Sequence, residues 1–159
     1  MTHIMPNDLN YTFTGAMGQG SSHALGLALG RPDKRVVLFD GDGSLLMNLG
    51  SLVTIANAAP KNYVHCLCEN GTYETNGSVP IPRAGQIRFV DMAKAAGYPK
   101  TYEFSNLWDW DYELDNILKE DGPIFVDLKV EPGEAYPEDF RRLYSIEYRD
   151  NFRKALKKS

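Results

Sequence analysis

Two short polar segments of the chain carry residue types suited to binding a charged ligand. Gly-Asp-Gly-Ser, residues 41–44, follows directly on the apolar run 35–40, and Glu-Asn-Gly-Thr-Tyr, residues 69–73, closes a second apolar run at 63–69. Glycines let the backbone turn sharply and approach a ligand closely. A helix that starts after such a turn directs its first N–H groups at an anion. The first segment therefore predicts a phosphate site at a junction between a strand and a helix.

A carboxylate inside that segment points to a metal as well. Asp42 would repel a phosphate, and a divalent cation between the two removes the conflict. Mg²⁺ takes oxygen ligands from one or two side chains, from phosphate and from water. Asn70 offers a second side-chain oxygen, and a nearby backbone carbonyl offers a third. Each segment is also an ordinary turn sequence on its own, but their pairing at successive strand ends favours a metal–phosphate site.

The order of elements predicts how these segments are positioned. Short continuous apolar runs indicate strands buried on both faces, and apolar residues at helical spacing indicate the helices between them. Strand and helix alternate, which is typical of a mostly parallel sheet in a three-layer α/β/α fold with ligands beyond the carboxyl ends of its strands. The predicted strands are 35–40, 63–69, 101–105 and 123–130, and the predicted helices are 21–30, 44–59, 88–98, 107–120 and about 137–158, with a loop at 70–86.

The composition of the chain argues against several classes of function. The 159 residues fit one domain, 1–159, and their net charge of −4 gives no reason to expect nucleic-acid binding. Cys66 and Cys68 are the only cysteines, too few for a zinc or iron–sulfur site, so we expect free thiols in a reducing compartment. No signal peptide or membrane-length apolar run is seen, and we expect a cytoplasmic protein without membrane partners. His65 lies inside a predicted strand and is expected to be a core or sheet-face histidine with its hydrogen bonds satisfied.

The segment GDGSLLMNLGSLVTIANAAPKNYVHCLCEN resembles the cofactor signature of thiamine diphosphate enzymes, in which an Asn ends a strand somewhat under thirty residues after GDG. The upstream GAMGQGSSHALGLALG resembles the segment before that signature in decarboxylases and acetolactate synthases. Over about residues 11–130 the chain resembles the diphosphate-binding (PP) domain of this family. Within the family it is most similar to sulfopyruvate decarboxylase β subunits and to the matching half of phosphonopyruvate decarboxylases.

The resemblance implies thiamine diphosphate and Mg²⁺ as cofactors and assigns roles by position. Asp42, Asn70 and the backbone carbonyl of Thr72 would bind Mg²⁺. Met17 would wedge the cofactor into a bent conformation, and Gly15 would accept a hydrogen bond from its aminopyrimidine. Core filling is the alternative for Met17. The cofactor-binding set implied by the resemblance is Gly15, Ala16, Met17, Gly41, Asp42, Gly43, Ser44, Asn70, Gly71, Thr72 and Tyr73.

Two parts of the family pattern are absent from the sequence, and the first implies a partner. No catalytic residue is assigned in this chain, because the activating Glu lies on a separate Pyr domain. The resemblance thus implies a Pyr-domain partner subunit in an α₂β₂ or larger assembly. The strand–helix unit that usually precedes GAMG is also missing, so that either the partner supplies it or the sheet edge is built differently.

The implied function is decarboxylation of a small 2-oxo acid, with this chain as a subunit. A carboligase of the acetolactate synthase type uses the same chemistry and stays open. A 2-oxoacid:ferredoxin oxidoreductase is disfavoured because the chain has no iron–sulfur ligands of its own. A non-catalytic subunit that holds the cofactor or stabilises a partner also stays open, because of the missing strand–helix unit.

Overall fold

A computed structural model describes residues 6–12, 15–133 and 139–159 of the chain. Residue contacts divide it into two compact units, a larger one over 17–135 and a smaller one formed by 1–16 together with 136–159. The two units are described separately below. The single domain 1–159 expected from the sequence stays a prediction.

The larger unit contains a sheet of four parallel strands, which lie side by side in the order Val36–Gly41, Tyr63–Glu69, Ile124–Lys129 and Lys100–Phe104. These strands are β1 (Val36–Gly41), β2 (Tyr63–Glu69), β5 (Lys100–Phe104) and β6 (Ile124–Lys129). Its helices are α1 (Gly20–Gly30), α2 (Asp42–Leu46), α3 (Gly50–Ala58), α4 (Phe89–Ala96) and α5 (Leu107–Ile117). The parallel sheet with flanking helices confirms the expected fold class.

The two faces of the sheet bury separate apolar clusters, because successive strand residues point to opposite faces. On one face Tyr63, Leu67 and Phe125 pack with residues of α1, α3 and α4. On the other face Val64 and Val126 pack with residues of α5. Helices on both faces explain why the central strands read as continuous apolar runs.

The prediction of one continuous helix over 44–59 is wrong. The chain forms α2 and α3, with a break at residues 47–49. At the break the N–H groups of Met47 and Asn48 bond to carbonyls three residues back, and the Asn48 side chain donates to the carbonyl of Gly18 at 3.1 Å. The break thus depends on a contact with a distant segment, which helical spacing alone does not reveal.

The predicted loop 70–86 contains a small hairpin. Its strands are β3 (Thr72–Tyr73) and β4 (Val79–Pro80), paired antiparallel, with a short 3₁₀ helix at Glu74–Asn76 between them. Gly71 and Gly77 adopt left-handed φ angles of +75° and +84°, which suit glycine at these turns.

The smaller unit contains two C-terminal helices, α6 (Phe140–Leu143) and α7 (Ile146–Lys158). The single helix expected over about 137–158 is therefore interrupted, because the Ser145 side chain accepts the N–H of Tyr148 and starts a new helix. Residues 137 and 138 of that expectation lie outside the described residues. Across the described ranges of both units, no helix has the length and apolar character needed to cross a membrane.

Candidate functional site

The ends of β1 and β2 bring the two polar segments together. Gly41 at the end of β1 is in register with Cys68 of β2, which places Asp42 beside the segment that follows β2. The Asp42 carboxylate accepts the N–H of Gly43 through Oδ1 and the N–H of Gly71 through Oδ2, each at 2.7 Å. Asp42 therefore links the two segments directly.

Asp42 is a buried carboxylate that accepts hydrogen bonds from backbone groups. Its exposed fraction is 1%, and burial raises its pKa, with the charge of Glu69 acting in the same direction. The N–H groups of Gly71 and Gly43 oppose that rise. Within the described ranges Asp42 forms no ion pair with a Lys, Arg or His side chain. A buried charge of this kind is stabilised by a cation.

Asn70 is fixed in one orientation by its neighbours. Its Oδ1 accepts the N–H of Thr72 at 2.9 Å and the hydroxyl of Thr72 at 3.2 Å, while its Nδ2 donates to Glu74 Oε2 at 2.8 Å. The other oxygen of Glu74 accepts the N–H of Gly133 at 2.7 Å. Glu74 was not singled out from the sequence. A carboxylate four residues after Asn70 is the signal that would have identified it.

The two glycines of the first segment differ in the space beside them. A Cβ on Gly43 would lie 2.5 Å from Cδ1 of the Tyr73 ring, so that ring packs directly on the glycine backbone. A Cβ on Gly41 would meet no atom within 4 Å, so the space beside Gly41 is open. The end of β1 therefore presents an accessible backbone next to a buried carboxylate.

A third segment contacts this site at Met17 and Gly18. The Ser44 hydroxyl accepts the N–H of Gly18 at 3.1 Å. The sulfur of Met17 lies 3.9 Å from Nδ2 of Asn76, and the Met17 residue is 38% exposed. Met17 is therefore not core filler. Gly15 and Ala16 belong to the smaller unit and are exposed there.

The donor set suits Mg²⁺ and a diphosphate. The oxygens at hand are a carboxylate, an amide and a backbone carbonyl, which are the hard ligands that Mg²⁺ prefers together with phosphate oxygens. No group of three or more His, Cys, Asp or Glu side chains able to hold a metal occurs among the described residues. A metal at this site would therefore need further ligands in addition to these side chains.

A second charged cluster lies at the neighbouring strand ends. Lys129 Nζ lies 2.6 Å from Glu69, 2.8 Å from Asp127 and 3.4 Å from Glu103. Burial raises the pKa of Asp127 to about 7, although its bond with Lys129 acts in the opposite direction. For Lys129, the hydrogen bonds to Asp127 and Glu69 outweigh burial and raise its pKa. Here the cation is part of the chain itself.

The buried histidine and the cysteines lie on the strands below these clusters. His65 Nε2 is 3.4 Å from Asp40 Oδ2 in a buried pair. Neither ring nitrogen of His65 has a hydrogen-bond partner in the described ranges, so its expected satisfied state is wrong. Cys66 and Cys68 are free, as expected, and burial raises the pKa of Cys66 to about 12.

Residues 2–128 match the family model of the thiamine pyrophosphate enzyme C-terminal TPP-binding domain. The chain belongs to this family. The match covers both segments of the candidate site.

The chain is similar to several named proteins. It is 38% identical to the sulfopyruvate decarboxylase subunit beta of Methanothermobacter thermautotrophicus, over 83% of this chain and 68% of that one. It is 37% identical to the phosphonopyruvate decarboxylase of Streptomyces hygroscopicus, over 79% of this chain but only 31% of that one. In fold it is similar to the thiamine diphosphate-dependent 4-hydroxybenzoylformate decarboxylase of Rhodococcus jostii, with a TM-score of 0.63, 24% identity and coverage of 75% of this chain and 24% of that one.

Proposed function

We propose that this chain is the PP-domain subunit of a two-chain enzyme that decarboxylates a small 2-oxo acid with thiamine diphosphate and Mg²⁺. One observation carries the proposal. A buried carboxylate at the end of β1 is bonded to the turn after β2 and has no side-chain cation of its own within the described ranges. The family to which the chain belongs is named for binding thiamine pyrophosphate, and a metal bound together with that cofactor would neutralise this carboxylate.

In this proposal Mg²⁺ is held by the Asp42 carboxylate, the Asn70 side-chain oxygen and the Thr72 carbonyl. Asn70 and Asp42 now accept hydrogen bonds from backbone groups, and these bonds hold the two side chains in place for a metal. The proposed cofactor-binding residues are Gly15, Ala16, Met17, Gly41, Asp42, Gly43, Ser44, Asn70, Gly71, Thr72 and Tyr73.

Each group of residues has a defined task. The open backbone at Gly41 admits a diphosphate, and Tyr73 on Gly43 forms one side of that space. The exposed Met17 offers an apolar surface for the rest of the cofactor. Bound thiamine diphosphate supplies the carbon nucleophile and takes up the electrons released when CO₂ leaves.

The name subunit beta of the relatives supports a separate partner. We propose that the partner carries the Pyr domain with the activating Glu, in an α₂β₂ or larger assembly. We also propose a cytoplasmic location, which the two free cysteines support.

The substrate class follows from relatives named for sulfopyruvate and phosphonopyruvate, which are both small anionic 2-oxo acids. A carboligase of the acetolactate synthase type is the second candidate. It is favoured by 29% identity to the acetolactate synthase isozyme 1 large subunit of Escherichia coli, over 77% of this chain but only 24% of that one.

The test is product analysis with the chain and a Pyr-domain subunit mixed in the presence of thiamine diphosphate and Mg²⁺. Sulfopyruvate, phosphonopyruvate and pyruvate are supplied separately, and CO₂ and organic products are measured. We expect CO₂ and the corresponding aldehyde, both lost with Asp42→Ala. A ligated product would favour the carboligase, and cofactor binding without turnover would favour a non-catalytic subunit.

A further inference from the structure

Glu74 joins the turn after β2 to the segment after β6 through both oxygens of its carboxylate. Oε2 accepts the side-chain amide N–H of Asn70 at 2.8 Å, and Oε1 accepts the backbone N–H of Gly133 at 2.7 Å. A Cβ built on Gly133 would lie 3.4 Å from Oε1, so the two segments pack closely at this point. The carboxylate is therefore held in place by two segments that are distant in sequence.

The chemistry of these bonds decides which end of the Asn70 amide faces Glu74. An ionised carboxylate accepts hydrogen bonds and cannot donate them, so the amide nitrogen of Asn70 has to face Glu74. The other end of the amide, Oδ1, accepts the N–H of Thr72 at 2.9 Å and the Thr72 hydroxyl at 3.2 Å. The Asn70 oxygen therefore lies beside Thr72, whose carbonyl is the third proposed metal ligand.

The Glu74 carboxylate forms no ion pair in the part of the chain that the structure describes. Its two donors, on Asn70 and Gly133, are neutral N–H groups. A hydrogen bond to a charged acceptor is stronger than a hydrogen bond between neutral groups. Glu74 therefore holds the amide in one orientation more firmly than a neutral acceptor would.

We propose that Glu74 is a positioning residue for the metal site, because it holds the Asn70 amide with its oxygen available to Mg²⁺. This inference rests on the proposed function, in which Asn70 and Asp42 bind Mg²⁺ together with thiamine diphosphate. Asn70 is adjacent to Gly71, whose N–H binds the Asp42 carboxylate at 2.7 Å, so the amide is oriented next to the buried charge. Replacing a side chain that orients a metal ligand typically weakens metal affinity by about 10- to 100-fold.

The test introduces Glu74→Gln into two backgrounds, the wild type and Asn70→Asp. Glutamine keeps the size of Glu74 but offers a donor as well as an acceptor, so the Asn70 amide is no longer held in one orientation. Asn70→Asp supplies two equivalent oxygens, which makes orientation irrelevant, but it sets a second carboxylate against Glu74. Equilibrium dialysis at a fixed thiamine diphosphate concentration gives the Mg²⁺ concentration that half-saturates cofactor binding.

We expect Glu74→Gln in the wild-type background to raise this Mg²⁺ concentration about tenfold. In the Asn70→Asp background we expect the same substitution to lower it, because the repulsion between two carboxylates is removed. If Glu74 only anchored the hairpin on Gly133, or only attracted the metal by its charge, Glu74→Gln would weaken binding in both backgrounds. The opposite sign is therefore specific to the orientation of the amide.

Glu113→Gln is the matched control. Glu113, on α5, also accepts the side-chain amide N–H of an asparagine, Asn116, at 3.4 Å. We expect this variant to have the Mg²⁺ dependence of the wild type, because α5 contributes no residue to the proposed metal site.

Weaker binding of Glu74→Gln in both backgrounds, or no change in either, would overturn the inference while the proposed function stood. An equal effect of Glu113→Gln would also overturn it, since the loss would then follow from removing any negative charge. If the wild type bound no thiamine diphosphate at any Mg²⁺ concentration, the proposed function would fail and the inference with it.

Discussion

Two buried aspartates near the carboxyl ends of strands in the same sheet differ in what neutralises them. Asp127 of β6 is 0% exposed and lies 2.8 Å from the Lys129 ammonium. Asp42, just after β1, is 1% exposed, accepts hydrogen bonds from the backbone of Gly43 and Gly71, and has no ion pair with a side chain in the described ranges. The same residue type is therefore buried with a cation at one strand end and without one at the other.

This difference distinguishes a carboxylate that stabilises the fold from a carboxylate proposed to bind a ligand. A buried charge that the chain neutralises itself contributes to a fixed arrangement of strands. A buried charge that lacks a cation in the chain is expected to receive one from outside. This contrast agrees with a structural role for the Lys129 cluster and with the proposed role of Asp42 in binding a divalent cation.

The largest expected effect comes from Asp42→Asn. We expect thiamine diphosphate with Mg²⁺ to stabilise the wild type by about 2.7 kcal/mol at a ligand concentration of 100 Kd. The variant is expected to lose this gain, because the amide at this position carries no negative charge to attract Mg²⁺. The measurement is the melting temperature with and without ligand.

Asp91→Asn, which removes an exposed carboxylate on α4, serves as its control and should keep the full ligand-induced rise. A rise of equal size in Asp42→Asn would show that the metal is held elsewhere.

Lys129→Met should instead affect the fold. Asp127 and Glu69 would lose their shared cation, and we expect the free energy of unfolding to fall by about 2 kcal/mol. Urea denaturation measures the loss, with Lys94→Met on the surface of α4 as control. The roles given to the Lys129 cluster and to Asp42 would be contradicted if Lys129→Met left the free energy of unfolding unchanged but removed Mg²⁺-dependent binding of the cofactor.

Gly41→Ala tests the open space beside Asp42. Gly41 has an extended φ of −89°, and a Cβ there meets no protein atom within 4 Å, so we expect the fold to accept alanine. A methyl group would take the space of an approaching diphosphate, and we expect about tenfold weaker pyrophosphate binding. Calorimetry measures the affinity.

The matched control is Gly26→Ala, in α1, where a Cβ also meets nothing within 4 Å. Unchanged pyrophosphate affinity in Gly41→Ala would place the ligand away from the end of β1.

The smallest effect is a change in the pH dependence of stability. Burial raises the pKa of Asp127 from its ordinary 3.8 to about 7, so the folded state binds more protons than the unfolded state between these values. The stability of the wild type therefore falls as pH rises through that window. Asp127→Asn removes this contribution, and we expect its melting temperature to gain relative to wild type between pH 4 and pH 7.

Melting curves across this window, and at pH 8 where the difference should level off, check the sign. A difference between the two proteins that did not change with pH would show that Asp127 is ionised throughout this window.

The sequence predicted features that depend on local pattern. The runs 35–40 and 63–69 are apolar throughout because both faces of their strands are covered, and the structure has strands at Val36–Gly41 and Tyr63–Glu69. Since parallel strands end at one edge, the closeness of Asp42 to the turn after β2 also followed. The binding roles of these residues stay predictions.

Features that depend on distant contacts were not predictable. The break after α2 involves Asn48 and Gly18, which are thirty residues apart. The Lys129–Glu69 pair joins residues sixty apart, and Tyr148 bonds to Asn10 across 138. Residue spacing along one element carries no information on such pairs.

The most direct test of the central claim is a calorimetric titration of thiamine diphosphate into the chain, once with Mg²⁺ and once with EDTA. The account predicts that binding requires the metal, because the diphosphate and the Asp42 carboxylate repel each other without it. Equal binding in both solutions would contradict it, since Asp42 would then face the cofactor without a cation.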